Sequence, residues 1–476
     1  MATPLPITTG YYESRSLPIS HQQCVNWYPS RVLDGQVPEC MFGTPGLMQI
    51  ATTGEVQQQN RGAHVKNGIP YFVNGTTLYS LTRSYDITGA EVFTTNILGT
   101  IESTGRVSMC DNGTQLMILV PNGKGYIYNE NAGTPFQQIT DADFVANGSP
   151  QYAVFCDGYF VVTTDSKKWI ISNLNDGLSW NALDFASAES DPDAIVAPAV
   201  VKNQVFLTGS ETTEGYQNIG GFGFPFQRSN LFIDKGCYAP FSIVTANNTF
   251  YMIGGGTNED PAIWMYQSAS FVKISTDAID KILSDYTDSE LKGAWGWTYS
   301  QDGNIFIGWS LFDRTIVFDF TTGKWHERNS RVIETQDNWR VASFVKAYGR
   351  LLVGDVHDGR IGEVKTDLYT EYDGAVVRTI ATRPFTKEGR PFTVPFLELT
   401  MESGVGTATV ENPQVGLAIS RDGKIFNYDR NRSIGKKGRY EHRIIWRRNG
   451  VFDRWCVLRF TLSDPVKPVI IKLEAE

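Results

Sequence analysis

Histidine and cysteine are scarce in this chain and too scattered to encode a metal centre. His21, His64, His326, His357 and His442 share no ligand-type interval, and no HExxH occurs, so no metal is expected. Cys24, Cys40, Cys110, Cys156, Cys237 and Cys456 form no CxxC pair. They read as free buried thiols of a protein made in a reducing cytosol. No apolar run is long enough to cross a bilayer. Met1 to Gly10 lacks the basic start and apolar stretch of a signal peptide. There is no GxSxG, no Walker sequence and no GxGxxG opening a helix; Gly254-Gly255-Gly256 runs into a proline-bearing loop. These absences leave no expected cofactor. A net charge of −9 argues against a general nucleic-acid coat.

What the chain does have is a turn signal that keeps returning. It occurs at Asn67-Gly68, Asn112-Gly113, Asp157-Gly158, Lys202-Asn203, Asn247-Asn248, Asp302-Gly303 and Tyr348-Gly349. Successive spacings are 45, 45, 45, 45, 55 and 46 residues. Asn, Asp and Gly tolerate positive φ and close tight hairpins, and a short apolar run follows each turn. A hairpin recurring at this period marks the blades of a β-propeller. Segments 295–300, 305–310, 315–320 and 324–329 read as one complete four-stranded blade. The 55-residue interval is explained by a helix, because Ile274, Ala278, Ile282 and Leu283 recur at helical spacing. Thr276 or Ser275 can cap it, and Asp277 and Asp280 suit its positive end.

The expected class is all-β. Residues 51–365 form the propeller, with seven blades or, alternatively, six. Residues 1–50, rich in Pro, Gly, Ser and Tyr, form an arm that packs on the C-terminal platform or closes the propeller. Residues 366–476 carry six strand-like pieces (376–385, 396–403, 414–420, 442–448, 456–463 and 469–474) and read as an antiparallel β-sandwich.

Candidate chemistry is thin. Asn173 to Trp180 is similar to the Asp-box of sialidase-type propellers, a structural hairpin, but Asn stands where Ser and Asp are usual. A sialidase also needs three converging arginines. Arg106, Arg228, Arg314, Arg328, Arg331, Arg340 and Arg350 show no spacing that marks such a trio. Ser420 to Gly423 is a weaker hairpin of the same kind. Asp165, Asp313 and Asp355 are isolated loop carboxylates, so no catalytic residue is assigned. Trp169, Trp180, Trp264, Trp309 and Trp325 offer sugar-stacking platforms in principle, but they sit in or beside apolar strands, which favours core packing.

Charge is more informative. From Arg430 to Arg459 the chain carries ten Lys/Arg against Glu441 and Asp453, a net +8, so the remainder is −17. Lys436, Lys437, Arg439, Arg443, Arg447 and Arg448 are the candidate assembly residues. They make an electropositive patch suited to an acidic partner or to phosphates.

Several segments together resemble one family. They are Gln23 to Pro29, Gly43 to Leu47, Gly105 to Met109, Asp157 to Phe160, Asp176 to Trp180 and the run 183–192. Then follow Phe224 to Phe226, Lys235 to Cys237, Ala239-Pro240, Ser275 to Ile279 and Tyr440 to Arg448. In this order they resemble the tail-hub, or packaged-DNA stabilisation, proteins of short-tailed phages. The resemblance implies a structural virion protein of the tail, made in the host bacterial cytoplasm, with no catalytic residues to carry over. It implies a homo-hexameric nozzle beneath a dodecameric adaptor and the portal. That ring would hold packaged DNA, dock tailspikes or fibres and a needle or plug, and conduct the genome at ejection. The alternatives are a glycan-active propeller enzyme, sialidase-like or a tail-associated hydrolase, and a sugar-binding propeller.

Overall fold

The computed structural model describes residues 3–54, 58–102, 104–166, 168–187, 194–221, 223–331, 338–387 and 389–476. Of the run 183–192, positions 188–192 lie outside the described residues. Among the described residues the propeller has seven four-stranded blades. Blade 1 spans residues 60–100, blade 2 108–138, blade 3 150–187, blade 4 195–233, blade 5 244–273, blade 6 295–328, and blade 7 341–365 plus a strand from the N-terminus. Each turn singled out in the sequence joins the innermost strand of a blade to the second. Six of the seven pairs begin with a residue in the left-handed region, such as Asn67 at φ 52 and Tyr348 at φ 56. The exception is Asn112, whose Oδ1 instead accepts from the Thr114 and Gln115 amides in a longer loop.

The ring closes because blade strands bury both faces. In blade 1, Tyr71 and Val73 pack toward Leu116 and Ile118 of blade 2, while Phe72 between them packs toward Leu352 and Ile361 of blade 7. That is the two-residue period of a strand with neighbours on both sides, and it accounts for continuous apolar runs instead of alternating ones.

Blade 7 takes its fourth strand from Gly46–Thr52, antiparallel to Arg360–Lys365. The residues just before it belong to the sandwich. Trp27–Arg31 and Glu39–Gly43 continue one sandwich sheet through Val469–Ala475 and Phe396–Met401 to the edge strand Ile444–Arg447. The second sandwich sheet runs Arg378–Ala381, Trp455–Leu462, Gln414–Ser420 and Arg430–Ser433. Cys24–Val25 joins it to the outer strand of blade 6, with Val25 opposite Glu327 and Thr379. The sandwich is therefore hydrogen-bonded to the propeller through one shared sheet.

The helix expected after blade 5 is present at Asp277–Ser284, with Thr276 as its cap. Ala278, Ile279, Ile282 and Leu283 are buried in a cluster that also holds Ile7 and Tyr11 of the N-terminal segment. It is a packing wedge.

Between blades 6 and 7 the Arg328 guanidinium lies in an aromatic cage, 4.8 Å from the ring centroid of Trp339 and 4.9 Å from that of Phe306. His326 beside it is fully buried against Phe306 and Tyr28. Burial, reinforced by Arg328, holds its pKa well below the ordinary imidazole value. Burial also lowers the pKa of His21 and of His357. Below about pH 6.5 the unfolded chain takes up protons that these folded imidazoles do not. Stability is therefore full above that pH and declines as pH falls through 6 to 5. A fully excluded His326 contributes up to about 1.4 kcal/mol per pH unit to the decline. Urea midpoints between pH 7.5 and 5 are expected to fall, with a shallower slope in His326→Phe. An identical slope in that variant would remove His326 as a cause.

Candidate assembly surfaces

Of the candidate catalytic groups, Asp313, Arg314 and Arg331 line one cleft where propeller and sandwich meet, and most of the others are held in local ion pairs. Arg340 pairs with buried Asp355 at 2.5 Å, Arg314 with Asp313 and Glu327, Arg228 with Glu214, and Arg350 with Glu363. Asp165 accepts from the Ser149 amide at 2.8 Å, as a loop staple. The Asp-box-like hairpin joins the last two strands of blade 3, Lys168–Asn173 and Asp176–Ser187, with Asn175 left-handed at φ 59. Trp180 is buried against Phe144, and its Nε1 donates to the Gly177 carbonyl. Trp169, Trp309 and Trp325 are buried as well, and Trp264 is half-buried under Lys235. Among the described residues no group of His, Cys, Asp and Glu is arranged to hold a metal ion.

The propeller axis is constricted. Arg106 reaches inward from the blade 1–blade 2 connection. Its guanidinium lies 4.7 Å from the Trp295 ring centroid and 5.9 Å from that of Phe241, and it donates to the Ala342 carbonyl at 2.9 Å. Tyr152 meets Phe241 edge-on at 5.0 Å. These contacts narrow a central cavity of about 610 Å³ that the inner strands of all seven blades line.

The basic stretch forms a rim where the edge strands of the two sandwich sheets meet. Strand alternation sorts its side chains: Ile444 and Trp446 point inward and are buried, while Arg443 and Arg447 point outward. Trp446 ties the sheets together by donating to the Arg430 carbonyl at 2.6 Å, and the Arg432 Nε donates to the Ile445 carbonyl. The residues Lys436, Lys437, Arg439, Arg443, Arg447 and Arg448 are all exposed on this rim and the loop that precedes it. They are not equivalent. Arg443 forms a two-pronged pair with Glu398 at 2.7 and 2.5 Å, which lowers the Glu398 pKa and raises that of Arg443. Lys436 pairs with Glu411 at 3.0 Å. Lys437, Arg439, Arg447 and Arg448 have no ion-pair partner among the described residues. Exposed Tyr428 and Tyr440 add apolar area nearby.

One feature had no sequence signal. A cleft of about 960 Å³ opens where propeller and sandwich meet, lined by Glu13, Asp285, Asp313, Glu327, Asp429 and Arg459 among others. Its walls come from six separate stretches of the chain, so no local spacing announces it even though Asp313, Arg314 and Arg331 stand out singly in the sequence.

Together these features define a propeller–sandwich scaffold with charged rims. Comparison with known proteins makes the class specific. The chain belongs to the Gp10 family of bacteriophage P22: residues 3–369 match the model described as "Bacteriophage P22 Gp10, beta-propeller", and residues 378–476 the one described as "Bacteriophage P22 Gp10, beta-sandwich". A curated relative is the tail hub protein gp10 of Salmonella phage P22, 23% identical over 386 residues, covering 78% of this chain and 80% of that protein. Among solved structures, the WD40 β-propeller domain of Doa1 is similar at 13% identity over 67% of this chain and 97% of that one, with a TM-score of 0.40. The N-terminal domain of Nup159 is similar at 10% identity over 70% and 97%, with a TM-score of 0.41.

Proposed function

We propose that this protein is a structural tail hub of a short-tailed phage. Family membership across both the propeller and the sandwich carries this reading. Six copies form a nozzle beneath the adaptor ring of the portal. The nozzle closes the vertex, keeps packaged DNA inside, offers docking surfaces to tailspikes or fibres and a plug, and later conducts the genome. The genome passes between copies, since Arg106, Trp295 and Phe241 constrict each propeller axis. The chain hydrolyses nothing in this role. The division into 1–50, 51–365 and 366–476 assigns blade closure to the arm, stiffness to the blades and assembly to the sandwich.

The basic rim is the assembly surface in this reading. Arginine hydrogen bonds to carboxylates or phosphates are of the charge-assisted kind, stronger than neutral ones. Replacing Arg443, Arg447 and Arg448 together with Ala is expected to reduce incorporation into portal-bearing heads by at least about tenfold, the equivalent of a single lost contact. Incorporation is read by quantitative mass spectrometry of purified particles, with circular dichroism as the check on folding. Normal incorporation of a folded triple variant would remove the rim from the interface. Electron micrographs of the wild-type particles are expected to show a six-fold ring with a central channel at one vertex.

A further inference from the structure

The outer edges of the blades are treated unequally. Blade 6 is covered along its outer strand by Cys24–Val25, parallel to it, and blade 7 by Thr370–Glu371, also parallel, with Glu371 opposite Leu47. Twice, then, an extended piece of the same chain has been added to a blade edge. No further strand is added to the remaining edges among the described residues, and that of blade 3 meets the short helix Ala142–Ala146, with the Trp180 amide donating to Asp141. Most of them carry the features that discourage strand addition. Blade 2 ends in only Phe136–Gln138, blade 3 carries Asp176 and Asp184, blade 4 carries Arg228, and blade 5 carries Lys273.

Blade 1 is neither short nor charged at its edge, and its one irregularity is a bulge at Leu98 near the end of the strand, which leaves Val92 to Ile97 in regular pairing. Its outer strand, Glu91–Thr100, is ten residues long and has no charge from Val92 to Thr100. Val92, Thr94, Ile97 and Thr100 are exposed, Ile97 at 74%. Beyond its own hairpin, no backbone hydrogen bond reaches residues 92–100 among the described residues. The hairpin is also stiff. It overhangs the second strand, which pairs with Thr77–Tyr85 only as far as Ser80. At its tip Asp86 Oδ1 accepts from the Thr88 and Ala90 amides at 2.8 and 2.9 Å. At its flank, Tyr348 of blade 7 donates to the Leu81 carbonyl. A long, uncharged, pre-ordered row of amides and carbonyls is a template for strand addition.

We propose that the outer edge of blade 1 receives an extended, uncharged segment of another protein of the same particle, which pairs with residues 92–100 as a fifth strand. Val92 and Ile97 sit beside the added strand and select apolar side chains on it. This inference rests on the tail-hub reading for the source of the partner. The occupant is an extended segment because the chain covers its other two blade edges in that way. The surface offered is backbone, with no cationic or anionic side chain to recruit a charged ligand.

The test compares hydrogen exchange of the intact chain, free in solution and in purified particles. Outward-facing amides between 92 and 100 are expected to exchange at least about tenfold more slowly in particles, since added pairing suppresses local opening. A benzophenone attached through a maleimide to Thr94→Cys and photoactivated in particles is expected to join this edge to a different particle protein. The exposed substitution Ile97→Lys, which places a charge on the edge, is expected to lower the amount of that partner at least about fivefold while the chain itself stays incorporated. Unchanged exchange in particles overturns the inference and leaves the hub reading standing. Cross-links to the same segment of a second copy overturn the proposed occupant. Absence of the chain from particles overturns both readings.

Discussion

Heads assembled without this protein are expected to fill with DNA and then lose it. In the proposed role the chain acts after packaging, as the closure of a vertex, so its absence leaves filling intact and removes retention. The expected loss is large, most of the packaged genome within the time of a purification. Purified protein added back is expected to restore retention with no metal and no nucleotide, since the proposed role assigns no catalytic step. In the proposed six-copy ring retention is collective: equivalent contacts act together, so weak single contacts sum to a stable closure. The measurement is the nuclease-resistant DNA of complete and deficient heads over time. Equal resistance in the two would end the stabilising role. Ordinary turnover of capsule or sialylated glycans by the purified chain would require an enzymatic function in its place.

The second large effect is expected from the N-terminus. Removing residues 3–52 deprives blade 7 of its closing strand and one sandwich sheet of three strands. It also removes Trp27, Tyr28, Met41 and Leu47, all buried. At about 1.5–3 kcal/mol for each large side chain, these four alone approach the 5–15 kcal/mol that typically separates folded from unfolded chains. The truncated chain is expected to be insoluble or unfolded. Leu47→Ala gives a graded version, with an expected loss of about 2–5 kcal/mol read as a lower urea midpoint. A chain of residues 53–476 that melts as the intact protein does would show that closure of blade 7 is dispensable.

The propeller was legible in the sequence because its information is local. A left-handed pair such as Asp157-Gly158 must sit in a tight turn, and seven turns at a near-constant spacing, six of them opening in the left-handed region, mark seven blades. The helix at Asp277–Ser284 was legible for the same reason. What could not be read is pairing between distant segments. Nothing in Gly46–Thr52 indicates that its partner is Arg360–Lys365, since any apolar strand presents the same backbone. The basic rim was legible as charge but not as free charge. Glu398 lies 45 residues before Arg443 and Glu411 lies 25 before Lys436, so their neutralising effect depends on the fold. The blade 1 edge was overlooked because Val92 to Thr100 reads as an ordinary strand, and its exposure is decided by what the rest of the chain leaves uncovered.

The strand Gly46–Thr52 also sets a timetable for synthesis. It leaves the ribosome early, yet its partner Arg360–Lys365 is translated some three hundred residues later, and the sandwich strand Val469–Ala475 last of all. At roughly 5–20 residues per second, the first segment waits on the order of tens of seconds with its apolar face unprotected. Blades 1 to 6 can stack in order as they emerge, but the ring closes only once Arg360–Lys365 is available, and the sandwich sheet only once Val469–Ala475 follows about a hundred residues later. A nascent chain interrupted anywhere before residue 360 has an open ring with an exposed edge on both sides.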